Sequence, residues 1–217
     1  YTHQKGQDMK ITPASEQQIE DHAQDIADLV HQTGPVPYDY QFGTKDLLDR
    51  FVKRSLPIEG TLFGREGLNL AIDGDEILGI LFSFPGTEFR KRIAAQNPMI
   101  EQMLAKEEVT MDEISGLIER AGHSSWLNPE LHPGTYYIHA IAVKPKHRGK
   151  QIGVQLISHA MELGQEQGCK RLQLDVMSDN PAVHFYRSQG LEILAETTAP
   201  KPRENGVPPE YRMGIRL

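Results

Sequence analysis

Between residues 136 and 176 the chain alternates in a way that few folds accommodate. Residues 136–143 (Tyr-Tyr-Ile-His-Ala-Ile-Ala-Val) are aromatic, β-branched and apolar, the composition of a strand. A turn carrying Lys144, Lys146, Arg148, Gly149 and Lys150 follows. Residues 152–166 then place Ile152, Leu156, Ala160 and Leu163 on one helical face, and Gly168 stops the run. Residues 172–176 (Leu-Gln-Leu-Asp-Val) read as a second strand. Two strands joined through a helix predict a parallel pair with a right-handed crossover.

The flanking segments predict antiparallel strands and further helices. Residues 10–14 read as a first strand, and Ser15 with Gln18 forms a capping box for a helix carrying Ile19, Ala23, Ile26, Leu29 and Val30. Thr33-Gly34-Pro35 should end it, with a Pro/Tyr loop over 35–40 and a second amphipathic helix over 45–54. Residues 68–72 and 77–82, joined by Asp73-Gly74-Asp75-Glu76, carry a strong hairpin signal. Helical periodicity over 89–95, 99–107 and 111–120 marks residues 85–134 as a helical insertion. A short helix over 181–188 and two strands over 192–196 and 211–217, linked by a Pro-rich loop, complete the chain. The expectation is one α/β (α+β) domain over residues 1–217. Its sheet should be mixed and mostly antiparallel, with a central parallel pair and flanking helices.

No apolar stretch in the 217 residues approaches the roughly 18 needed to span a membrane, and no segment reads as a secretory signal. With the single cysteine, Cys169, this predicts a cytoplasmic protein without disulfides or a Cys-based metal site. The net charge is −7, from 23 Lys+Arg against 30 Asp+Glu, which argues against nucleic acid as a partner. Four cations nevertheless cluster between Lys144 and Lys150, predicting one small anionic ligand. A strand-to-helix turn presents outward N–H groups and the positive end of a helix, so this turn suits a phosphate or pyrophosphate; the alternative is an ordinary solvated turn. Its spacing matches neither a nucleotide-triphosphatase P-loop nor a Rossmann fingerprint.

Arg148-Gly149-Lys150-Gln151-Ile152-Gly153 resembles the Arg/Gln-x-x-Gly-x-Gly/Ala acetyl-CoA signature of the GNAT superfamily of N-acetyltransferases. Residues 180–191 (Asn-Pro-Ala-Val-His-Phe-Tyr-Arg-Ser-Gln-Gly-Leu) resemble that family's second motif, in the right order downstream. Gln151 stands where the family most often has glycine. The resemblance implies an enzyme that transfers acetyl from acetyl-CoA to a primary amine by direct attack, without a metal. Ile141, Ala142 and Val143 would pair through their backbone with the pantetheine arm, and residues Arg148, Gly149, Lys150, Gln151, Ile152 and Gly153 would hold the pyrophosphate. Asn180 or Asp179 would bond the pantetheine, and Tyr186 would protonate the departing thiolate. Tyr137 to Val143 also resembles the His-x-His-x-Leu-Ala-Val strand of arylalkylamine N-acetyltransferases, which makes His139 the best single candidate for the base; a histidine bonded into the sheet face is the alternative. The acceptor, a small molecule or a protein amine, would meet Tyr38, Asp39, Tyr40, Phe42 and the insertion with Trp126. A homodimer is compatible with such a fold. The competing function is a non-catalytic acyl-CoA-binding regulatory module.

Overall fold

Seven strands form one sheet: β1 (Lys10–Pro13), β2 (Leu68–Asp73), β3 (Glu76–Pro85), β4 (Thr135–Val143), β5 (Arg171–Met177), β6 (Glu192–Thr197) and β7 (Glu210–Arg216). The computed structural model describes residues 9–217; residues 1–8 of the expected 1–217 domain lie outside the described residues. The strand order is β1-β2-β3-β4-β5-β7-β6. Among the described residues only β4 and β5 run parallel, and α8 (Ile152–Glu166) makes the crossover between them. The fold class is the expected mixed α/β one.

Helices cover both faces. On one side lie α1 (Glu16–Asp21), α2 (Ala23–Thr33), α3 (Pro35–Phe42) and α4 (Lys45–Ser55). Ile26, Leu29 and Val30 of α2 and Leu47, Leu48 and Phe51 of α4 bury against Leu68, Leu70, Ile80 and Phe82 of the sheet. On the other side, Ile152, Leu156 and Ala160 of α8 and Val183 and Tyr186 of α9 (Ala182–Ser188) pack on Leu81, Ile138, Leu172 and Leu174. The intervening segment forms α5 (Phe89–Ala94), α6 (Gln96–Ala105) and α7 (Met111–His123). Its Met99, Met103, Ile114 and Leu117 join the same core as α2 and α4.

Ser15 makes the expected capping box on α1, and Thr110 makes a second one on α7 with Glu113. The Pro/Tyr stretch differs from expectation, because it is helix α3 rather than a loop. Pro35 and Pro37 lie in its first turn, where backbone N–H groups have no intrahelical acceptor, so neither ring costs a hydrogen bond. Pro98 is tolerated in the first turn of α6 for the same reason. The Pro-rich link before β7 contains a further short helix, α10 (Pro200–Glu204).

Candidate active site

The parallel ladder between β4 and β5 pairs Thr135 with Arg171 through Ile138 with Leu174 and goes no further, although both strands continue. The break coincides with an irregularity on the other side of β4. Phe82 pairs with Ala140 and Ser83 with Ile138, so His139 is an extra residue in its strand. A bulge of this kind bends a strand and sharpens its twist. Past it, Ile141, Ala142 and Val143 keep their β3 partners but have none on β5.

Two cavities flank this opening. The first, about 830 Å³, is lined by Ile141, Ala142, Val143, Arg148, Gly149, Gln151, Ile152, Gly153, Asp179, Asn180 and Tyr186. Of the residues expected to hold the cofactor, only Lys150 stands outside its wall, exposed on the turn. His147, not singled out from sequence, lines it too, with Nδ1 buried and unpartnered and Nε2 3.1 Å from Glu76. The basic island is smaller than it reads in sequence. Lys144 pairs with Asp25 at 2.5 Å and Lys146 with Glu76, leaving Arg148 and Lys150 as the two cations of the island without a carboxylate partner among the described residues. Asn180 Oδ1 accepts from the Ala182 N–H at 2.9 Å, so this side chain already shapes the start of α9.

Gly149 has φ of 78° and Gln151 φ of 61°, both left-handed. The glycine usual at the latter position in the family relieves a strain that Gln151 retains. Gln151→Gly is expected to stabilise the protein by about 0.5–1 kcal/mol, the relief of a left-handed Cβ less the added chain entropy of glycine. A rise of a few degrees in a thermal melt would register it. Gly153 lines the same cavity and also has a packing reason to be small. A Cβ there would meet the Phe185 ring at 3.2 Å, so its small size lets α8 seat against α9.

The second cavity, about 750 Å³, lies on the opposite side of the opening. Tyr38, Tyr40, Phe42, Phe63, Phe89, Tyr137, His139, Met177 and Glu210 are among its walls. Asp39 is not. It turns outward to His31, 2.8 Å away, and Trp126 is exposed on the surface. Tyr136 and Ser83 bond each other at 3.2 Å inside the sheet. Tyr186, Ile141 and Met177 line both cavities. The Tyr186 side chain is buried, and burial pushes its phenol further above the usual range, so the hydroxyl keeps its proton at neutral pH.

His139 sits among Phe63, Phe84, Phe89 and Tyr137, with ring centroids 5.1–6.3 Å away, and its Nε2 is buried without a partner. Burial, reinforced by the Arg92 charge, holds its pKa down to about 4. The folded protein therefore carries a neutral imidazole where the unfolded chain would take up a proton near pH 6.5. Stability should be intact above that pH and fall as pH drops from 6.5 toward 4. His139→Phe, an aromatic replacement for an aromatic site, should remove up to about 3 kcal/mol of this acid sensitivity. Urea unfolding at pH 7 and pH 4.5 measures the difference.

A buried charge cluster at the floor of the second cavity was not read from sequence. Arg212 donates to Asp175 through Nε at 2.5 Å and Nη2 at 2.7 Å, and Tyr137 donates its hydroxyl to Asp175 at 3.0 Å. Glu210 is only 7% exposed, and its Oε1 has no partner. Burial, with the nearby Asp175 charge, pushes its carboxyl well above the usual range. The sequence signal was Asp175 inside the apolar run Leu172–Val176, matched by Glu210 and Arg212 at alternate positions of the last strand. Among the described residues, no group of three His, Cys, Asp or Glu side chains is placed to hold a metal, and no helix is long and apolar enough to cross a membrane.

The family model described as "Acetyltransferase (GNAT) family" matches residues 66–191. A streptothricin acetyltransferase of Streptomyces lavendulae is 46% identical over 63 residues, 29% of this chain and 33% of the relative. A thialysine N-epsilon-acetyltransferase of Bos taurus is 36% identical over 75 residues, 34% of this chain and 41% of the relative. The matches therefore span a third to two-fifths of these curated relatives. In fold, the chain is similar to a crystallised acetyltransferase with a TM-score of 0.67 at 19% identity, covering 96% of this chain and 99% of the other. It also resembles, at a TM-score of 0.51 and 16% identity, an acetyltransferase of Bacillus subtilis solved in complex with CoA, covering 96% and 97%. Matched by the family model over more than half its length, the chain belongs to the GNAT acetyltransferase family.

Proposed function

We propose that the protein transfers an acetyl group from acetyl-CoA to a primary amine. The observation that carries this reading is the meeting of two cavities at Tyr186, where the β4–β5 ladder opens. The first cavity suits acetyl-CoA. Its strand edge at Ile141–Val143 has no partner strand on β5, although the Val143 carbonyl accepts from Arg148 Nε at 3.2 Å, and Arg148 with the amides of 148–153 offers positive charge at a helix start. The second suits an acceptor with apolar surface. A neighbour in fold binds CoA, and a relative in sequence is named for acetylating the N-epsilon position of thialysine, which supports both assignments.

In this mechanism the amine nitrogen attacks the thioester carbonyl, the carbon–nitrogen bond forms and the carbon–sulfur bond breaks. A main-chain N–H at the opened strand would meet the charge developing on oxygen. Tyr186, protonated at neutral pH, gives its proton to the leaving sulfur. His139 lines the acceptor side as a neutral imidazole, but a group held near 4 is a weak sink for an ammonium proton. Incubation with acetyl-CoA and a panel of primary amines, with free thiol followed over time, tests the reading. Amine-dependent thiol release is expected. CoA binding without turnover on any amine would instead favour a regulatory acyl-CoA module.

A further inference from the structure

Beneath the acceptor cavity, charge does not balance. Arg92 is matched by Glu66 and Glu88, each at 2.7 Å. Arg212 is matched by Asp175, which it grips with two nitrogens and which Tyr137 also bonds. Glu210 is the buried carboxylate left over, with Oε1 buried and unpartnered, and the residue is among those that line the cavity. Asp175 and Glu210 share one guanidinium, so this corner of the pocket is one cation short; Arg90 and Glu130 line the cavity elsewhere. A buried unpaired charge is costly, and it is relieved by a proton or by a ligand cation. Glu210 also stands at the right place. Its cross-strand partner is Met177, which lines both cavities, so Glu210 lies one strand spacing, about 5 Å, from the junction. The wall also holds a large apolar share, from Phe42, Phe63, Phe89 and Leu117, and Ile93 and Ile118 are exposed at its rim.

We propose that Glu210 seats the acceptor's ammonium group and takes its proton, selecting cationic primary amines carried on an apolar or aromatic body. The inference rests on the acetyltransferase reading for its proton-transfer half. Seating the ammonium ionises Glu210, whose resting proton leaves to water, and the alkylammonium then gives one proton to the carboxylate and becomes a neutral amine. Its second proton leaves as the amide forms and passes to Tyr186, which has given its own to the departing sulfur, so Glu210 ends protonated as it began.

The experiment compares wild type, Glu210→Gln and Glu210→Asp on two acceptors of similar body, phenethylamine, an ammonium ion at pH 7.5, and 4-ethylaniline, a neutral amine at that pH. Glu210→Gln should lose about 10²-fold in kcat/KM on phenethylamine and less than about 3-fold on 4-ethylaniline. Glu210→Asp should recover part of the loss. Equal loss on both acceptors, or no loss on either, overturns the proposal. A parallel arm needs no turnover. With CoA present, phenethylammonium should raise the melting temperature of wild type and Glu210→Asp but not Glu210→Gln, and phenethyl alcohol should not separate them. An ammonium that stabilises all three alike, or none, overturns the seat. Glu210-dependent stabilisation with no acetyl transfer in wild type would overturn the proton-transfer half together with the enzyme reading, and support the seat alone.

Discussion

Tyr186→Phe is expected to lower kcat by about 10²–10³-fold, within the usual range for one general acid, while leaving the affinity for CoA nearly unchanged. The expectation follows from where the hydroxyl sits. Tyr186 is the phenol that borders both cavities, and its burial keeps it protonated throughout the neutral range. Phenylalanine preserves the packing against α8 and the sheet, so the melting temperature should move little. A thiolate leaving without a proton carries the whole cost in the breaking of the carbon–sulfur bond. Steady-state kinetics at saturating acetyl-CoA, beside calorimetric CoA binding, separates the two effects. A variant with full kcat would remove Tyr186 from the chemistry and reduce it to a wall residue.

The second large effect concerns stability. Arg212→Leu should cost about 3–5 kcal/mol, because it strands Asp175 and Glu210 together in a buried site. For a chain of this length that corresponds to a fall of roughly 10 °C in melting temperature. The loss should also depend on pH. Without the guanidinium, both carboxyls hold their protons more tightly in the folded state than in the unfolded one. Their penalty is then absent at low pH, where both states are protonated, and grows as pH rises through the folded-state values. The deficit relative to wild type should be larger at pH 8 than at pH 5. Replacing the pair together, Asp175→Leu with Arg212→Met, should recover part of it. Chemical denaturation at the two pH values reads all three.

The central crossover was legible because its signals are local: a strand pattern, a glycine-bearing turn and a helix of regular period, each in agreement with the next. The same holds for the hairpin around Gly74 and the capping box at Ser15. The stop at Thr33-Gly34-Pro35 holds, but the Pro/Tyr stretch after it is a helix rather than the expected loop. At Pro35, Pro37 and Pro98 the ring occupies a first turn, where it costs a helix nothing, and sequence alone does not reveal where that turn begins. The site was half legible. The side proposed for the cofactor draws mainly on one contiguous stretch, residues 141–153, joined by Asn180 and Tyr186, and most of it lines one cavity. The acceptor side is assembled from distant strands. Asp175 and Arg212 are 37 residues apart and meet only because β7 inserts beside β5. Asp39 looked suited to an amine, yet the register of α3 turns it toward His31.

The helices α5 to α7 illustrate how tightly selectivity can be bound to folding. Leu117 of α7 belongs to the main core and also borders the acceptor cavity. Arg212 of the last strand donates to the Pro129 carbonyl at the end of that segment, 2.9 Å away. The segment is therefore not an interchangeable module. A graft of residues 86–134 from a relative would bring in one side of an interlocked interior and would have to be matched to α2, α4 and β7 of its host. Acceptor preference in such an architecture should shift by substitutions within the wall, with the whole interior adjusting together, more readily than by exchange of the segment.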